Sequence, residues 1–263
     1  MNGYQEKITR IRAHLALEGA AGAVLSTPDN IFYATGFSSV MDGWHLVEPI
    51  AAVFVPTDSA SPVVLILPEA SVISPIVSER GGHPVHFDRL ATFDMLNFCE
   101  TARAEDAHLA LPDDLLAELG DVMEQVEGQC EPDIIQTIAA CVSRHISKAE
   151  RVVFDDLRVA ARVEALTGQA SGDALDVMFA ARAVKTADEL DTLRESGQIA
   201  DAIMAYTVSL LGVGKSWSEV EKQVAHFMID HDVDPLPGSP MLFGGAYDLV
   251  FRPDLFRTPV SRP

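Results

Sequence analysis

Thr27-Pro28-Asp29-Asn30-Ile31-Phe32-Tyr33-Ala34-Thr35-Gly36-Phe37 is the stretch whose reading decides the fold. Pro28 fixes its own φ and pushes Thr27 towards an extended conformation, so a strand ends there. Asp29 or Asn30 is placed to cap the turn that follows. Ile31, Phe32 and Tyr33 load that short helical turn with apolar surface, and Gly36 lets the chain reverse. Two readings follow. The stretch is a core plug that locks onto a sheet, or its exit aims the next loop, with Trp44 and His45, at a binding site.

Working outward, Tyr4, Ile8, Ile11 and Leu15 recur at helical spacing, and Ala23 to Ser26 reads as a short buried strand. Downstream, Pro49 to Val55 and Pro62 to Leu67 form a hairpin around Pro56-Thr57-Asp58-Ser59. Glu69 to Arg80 predicts a weak helix, His83 to Phe87 a strand, Leu90 to Arg103 a helix and His108 to Leu111 a strand. Asp114 to Val126 and Ile134 to Ile146 are helical, with a strand near Cys130; Arg151 to Phe154 is a strand and Leu157 to Leu166 a helix. The alternation predicts a three-layer α/β domain with a mixed sheet over residues 1–172, with Gly168 to Asp173 as the linker.

Residues 173–263 read as the start of an incomplete α+β domain. Thr186-Ala187-Asp188-Glu189 and Ser216-Trp217-Ser218-Glu219 are capping boxes opening two long helices that pack as a hairpin. Gly244-Gly245 and Leu249-Val250-Phe251 read as the beginning of a sheet that this chain does not close, so a longer enzyme is expected.

The 263 residues carry a net charge of −20, which argues against nucleic-acid or anionic-membrane partners. No apolar run is long enough for a membrane span, and the polar start at Met1 to Arg12 has no secretory pattern, so a cytoplasmic protein is expected. Cys99, Cys130 and Cys141 lie far apart and read as reduced thiols. His83 and His86, three apart in an expected strand, would face opposite ways. Asp230, Asp232 and Asp234 imitate a calcium loop, but Pro235 stands where its turn needs glycine. His226 and Asp230 read as a solvated helix end, and Asp113/Asp114 and Asp155/Asp156 as solvated turn residues. There is no nucleophile elbow, phosphate loop or dinucleotide fingerprint.

The motif order resembles the creatinase/prolidase/Xaa-Pro aminopeptidase family, the "pita-bread" metallohydrolases. Asp29 to Phe37 is similar to the Asn-x-x-Tyr-x-Thr-Gly-Phe signature of that family's N-terminal domain. Arg182-Ala183-Val184-Lys185-Thr186-Ala187-Asp188-Glu189-Leu190 is similar to the Arg-x-x-Lys-(Ser/Thr)-x-x-Glu-(Ile/Leu) that opens its catalytic domain. The helical hairpin and Gly244-Gly245 follow in the same order. The resemblance implies hydrolysis of a C–N bond in an Xaa-Pro-type peptide or a small amidine or amide. It also implies a homodimer and a divalent metal pair (Mn, Zn or Co) held by two Asp, one His and two Glu. Those ligands come after the point where this chain ends, so no metal ligand and no catalytic residue is assigned. The covered chain alone is expected to have little activity. Phe37, Trp44, His45 and Tyr247 are the candidates for substrate contact. The competing expectation is a non-enzymatic pita-bread protein that binds a protein or peptide partner.

Overall fold

β1 (Gly22–Leu25), β2 (Ala52–Pro56) and β3 (Val64–Pro68) are unbroken buried runs, because both of their faces are covered. The computed structural model describes residues 3–39, 41–42, 48–95, 112–211 and 216–233. The strands belong to a six-stranded sheet of order β4-β3-β2-β1-β5-β6, with β4 (Arg89–Phe93), β5 (Val152–Phe154) and β6 (Ser171–Asp173). β2 runs antiparallel to β1 and β3, and every other neighbour is parallel, so the sheet is mixed.

Side-chain alternation divides the core in two. Ala23, Leu25, Val53, Val55 and Leu65 belong to one cluster, with residues of α1 (Gly3–Leu17), α2 (Pro28–Thr35) and α7 (Leu175–Ala183). Val24, Phe54, Ile66 and Phe154 belong to the other, with α5 (Ile134–His145) and α6 (Leu157–Thr167). The three-layer expectation holds. The weak helix expected at Glu69 to Arg80 is a 3₁₀ turn at Glu69–Ser71 followed by α3 (Ser74–Arg80), and α4 is Asp113–Met123.

Three expectations are corrected. His83 to Phe87 is not a strand, and Leu90 to Phe93 is strand rather than helix. β4 takes main-chain bonds from both sides: it pairs with β3, and Leu90 donates to the Gln125 carbonyl (3.0 Å) while Thr92 accepts from Glu131 (3.1 Å). That pairing overrides a local pattern compatible with helix. Nor is Gly168 to Asp173 a linker, since β6 lies within it and extends the sheet beside β5. The Gln169 side chain, almost fully buried, anchors this run by donating to the carbonyls of Ser147 (3.1 Å) and Glu150 (3.0 Å).

By their contacts the compact units are Met1–Thr186 and Ala187–Pro263, so β6 and α7 belong to the first unit, whereas the sequence reading divided the chain at 172/173. α7 packs on α1, which explains the placement. In the second unit α8 (Ala187–Leu210) and α9 (Trp217–Ile229) pack through Leu210, Val220, Val224 and Met228. Tyr206 stacks on Phe227 with ring centroids 4.3 Å apart. The capping box at Ser216 and Glu219 is formed. No described helix is long and apolar enough to cross a membrane. The expectations for Trp44, His45, Cys99, residues 96–111 and everything from Pro235 onward, Tyr247 included, lie outside the described residues.

Candidate functional site

The two sequence motifs are bonded to each other. Asn30 donates from Nδ2 to Asp155 (3.0 Å) and accepts at Oδ1 from Arg182 (3.1 Å). Tyr33 donates its buried hydroxyl to the Ala181 carbonyl (2.8 Å). Thr35 donates to the Ile31 carbonyl (2.7 Å) and accepts from the Phe37 N–H (3.0 Å), which closes the end of α2. Gly36 takes the left-handed conformation that ends the helix, with φ 77°. Each fixed residue of the motif therefore has a mechanical task.

The cap is not the one expected. Neither Asp29 nor Asn30 closes the start of α2, whose N-cap is Thr27 without a side-chain cap bond. Asp155 instead gathers the donors around that start. It accepts from the Ser26 N–H (2.8 Å) and hydroxyl (3.1 Å), and from the Thr27 N–H (3.1 Å) and hydroxyl (2.6 Å), besides Asn30. Asp155 and Asp156 are thus not simply solvated turn residues. Asp156 caps α6 and is gripped by the Arg158 fork, with Arg158 Nη2 at 2.6 Å.

β1 and β5 are adjacent and parallel, and their connections leave in opposite directions, to β2 and to β6. The crevice outside their carboxyl ends is therefore a topological switch point, the usual ligand position in such sheets. A cavity of about 220 Å³ lies there. Ser26, Thr27 and Ile31 line one side and Asp156 and Arg158 another, with Asp42 and Glu48 from the run into β2. Its charges are paired within the protein: Asp156 with Arg158, Glu48 with Arg162, and Asp42 with the Ser39 N–H. Among the described residues no histidine, cysteine or lysine lines it. The cavity can hold a small polar molecule, and its described residues place no nucleophile with a base beside it.

Arg158's side chain holds the Asp156 carboxyl below its ordinary range, assisted against the cost of burial by main-chain N–H groups. A depressed folded value stabilises the fold above the unfolded value of about 4, and that contribution is lost as pH falls through the folded one. Asp156→Ala is therefore expected to cost about 1 kcal/mol at pH 7, as for a lost N-cap. The difference from wild type should narrow below about pH 4. Urea unfolding at pH 7 and pH 3 checks this, and an unchanged difference would count against the capping role.

Of the expected contact residues, Phe37 is a core residue, 2% exposed. Phe32, expected to lock against the sheet, is 56% exposed, while Ile31 and Tyr33 are buried. His86 sits in an irregular segment, stacked on Tyr4 at 4.5 Å, with its N–H on the Thr35 carbonyl.

Sequence reasoning passed over a second grouping. Cys141 and His145, one turn apart on α5, come together with Glu127, and one donor atom from each lies within 4.8 Å of the others. His145 Nε2 is 2.8 Å from Glu127 Oε1, and Arg144 Nη1 is 3.0 Å from the same oxygen. Burial pushes the Cys141 thiol pKa well up, and the Glu127 charge adds to the rise. The Cys-x-x-x-His spacing was visible in the sequence, but its meeting with Glu127 was not. One carboxylate, one thiol and one imidazole do not make the carboxylate-rich pair of sites that the resemblance implies, so no catalytic step is derived through them.

No protein-family model matches the chain, and no curated protein matches it significantly. Solved structures do. A prolidase from Thermococcus sibiricus superposes with TM-score 0.55 at 15% identity, covering 88% of this chain and 50% of that one. A dipeptidase PepE from Mycobacterium ulcerans gives 0.54 at 18%, covering 87% and 49%. An Xaa-Pro dipeptidase from Bacillus anthracis gives 0.53 at 16%, covering 87% and 49%. The chain spans about half the length of these structures. Its fold is that of the matching half of the prolidases and Xaa-Pro dipeptidases.

Proposed function

We propose that this chain is the N-terminal half of a hydrolase that cleaves a C–N bond in an Xaa-Pro-type peptide or a small amide or amidine. The observation that carries the reading is the fold shared with prolidases over most of the chain, in which the two family-like motifs bond to each other through Asn30–Arg182, with Tyr33 bonded to Ala181 just before the second motif. In this reading residues 173–263 open the catalytic domain, and the divalent metals (Mn, Zn or Co) are held by ligands beyond this chain. The enzyme is a cytoplasmic homodimer, and Trp44, His45 and Tyr247 contact the substrate.

The test is metal content and Xaa-Pro dipeptide cleavage by the full-length product. A metal-free product, inert on peptides and on small C–N substrates such as creatine, would overturn the proposal and favour a partner-binding protein. In an active product, Trp44→Ala is expected to raise KM about tenfold or more with little change in melting temperature, the pattern of lost substrate binding. A fall in melting temperature without loss of affinity would remove Trp44 from the site.

A further inference from the structure

Glu127, Cys141 and His145 lie far from any role in the peptidase reading, yet their chemistry converges. Cys141 and His145 project from one face of α5, being four residues apart. Glu127 is brought to them by main-chain pairing beside β4, where its N–H donates to the Leu90 carbonyl (2.7 Å). The Cys141 side chain is 1% exposed and has no hydrogen-bond partner among the described residues. The His145 ring is held by stacking on Phe54 at 5.9 Å. His145 and Glu127 side chains are each 14% exposed, so the group has one solvent-facing side and one dry side.

We propose that these three side chains form a mononuclear zinc site with its fourth position open to water. A tetrahedral zinc ion with one sulfur, one nitrogen and one oxygen ligand needs donor atoms roughly 3.3–3.8 Å apart, from bond lengths of about 2.0–2.3 Å. The donors now lie between 2.8 Å and 4.8 Å of one another. The widest separation must close by at most about 1 Å and the His145–Glu127 pair must open by about half that. Rotation of the Glu127 carboxylate opens its contact with His145, and side-chain adjustment within the group closes the rest. Glu127 Oε2 carries no other hydrogen bond among the described residues, while Arg144 on Oε1 remains to orient the carboxylate. Thiolate and imidazole select zinc over magnesium or calcium, and thiolate with carboxylate balances its two charges. The site differs in donor set and place from a carboxylate-held catalytic pair, and its occupancy does not depend on peptidase activity. The competing account is a hydrogen-bonded clasp, with Arg144 and His145 both on Glu127 and Cys141 as core filler.

Cobalt(II) titration of the metal-stripped 263-residue chain separates the two. The expected result is one cobalt per chain, with a thiolate-to-cobalt charge-transfer band and the strong visible bands of four-coordinate cobalt, displaced by one equivalent of zinc. Cys141→Ser should abolish the charge-transfer band, and His145→Gln and Glu127→Gln should each weaken binding tenfold or more. Cys130→Ser, at an exposed thiol outside the group, should leave the band intact. If Cys141→Ser fails to fold, Glu127→Gln carries the test, because it keeps the thiol and the imidazole. Absence of a charge-transfer band in the wild-type chain overturns the site. So does a band that is lost with Cys130 and kept with Cys141→Ser, or binding that Glu127→Gln leaves unchanged.

Discussion

Asp155→Ala is expected to destabilise the first unit by about 3 kcal/mol, because bonds to a charged acceptor contribute about 1.5–3 kcal/mol each and are not additive. The carboxylate accepts five hydrogen bonds from three residues, two of them from main-chain N–H groups. Ser26 is 7% exposed, so water cannot fully replace the lost acceptor at its N–H and hydroxyl. The loss should appear as a fall in melting temperature of about 6–12 °C for a domain of this size. Asp155→Asn is informative. Thr27 and Asn30 both donate to Oδ2 while Ser26 donates to Oδ1, so an amide nitrogen in either position faces donors. The Asn variant should therefore behave like Ala. If it melts within about 1 °C of wild type, the negative charge and its acceptor capacity are not what hold the crevice.

Gly36→Ala should cost a similar amount, about 3 kcal/mol, by a different route. Its φ of 77° disfavours any side chain by roughly 1 kcal/mol. A Cβ there would also stand 2.6 Å from the Pro84 carbonyl oxygen, which is main chain and cannot rotate away. That carbonyl is held in place by its neighbours: the His86 N–H bonds to Thr35 (2.8 Å) and the His86 ring stacks on Tyr4. Overpacking of this kind adds about 1–3 kcal/mol. Gly19 is the control, since it has φ 63° and nothing within 4 Å of a built Cβ. Gly19→Ala should show the conformational cost alone, about 1 kcal/mol. Equal melting temperatures for the two variants would remove the clash from the account.

The sequence was legible where burial is two-sided. β1 to β3 announce themselves by unbroken apolar runs, and α1 by Ile8, Ile11 and Leu15, all buried as the spacing requires. β6 was illegible for the opposite reason. Ser171-Gly172-Asp173 has no apolar side chain and is made a strand by main-chain pairing with β5 alone. β4 failed because Leu90 to Phe93 fits a helix locally, and only its two flanking chains make it extended. The crevice was legible only on one wall. Thr27 to Ile31 could be read as a turn beside a possible site, but Asp155 joins Ser26 across 129 residues, and no local pattern encodes that. An acidic pair following a strand looks the same whether it is solvated or gathering five donors.

The bond between Asn30 and Arg182 spans 152 residues, and that between Tyr33 and Ala181 spans 148. A nascent chain emerging at about 5–20 residues per second therefore holds α2 without these partners for roughly 8–30 s. Eight residues are too few to stay helical in water unaided. The first motif is thus translated early and completed late, and synthesis of the second motif sets when the first unit can close around it.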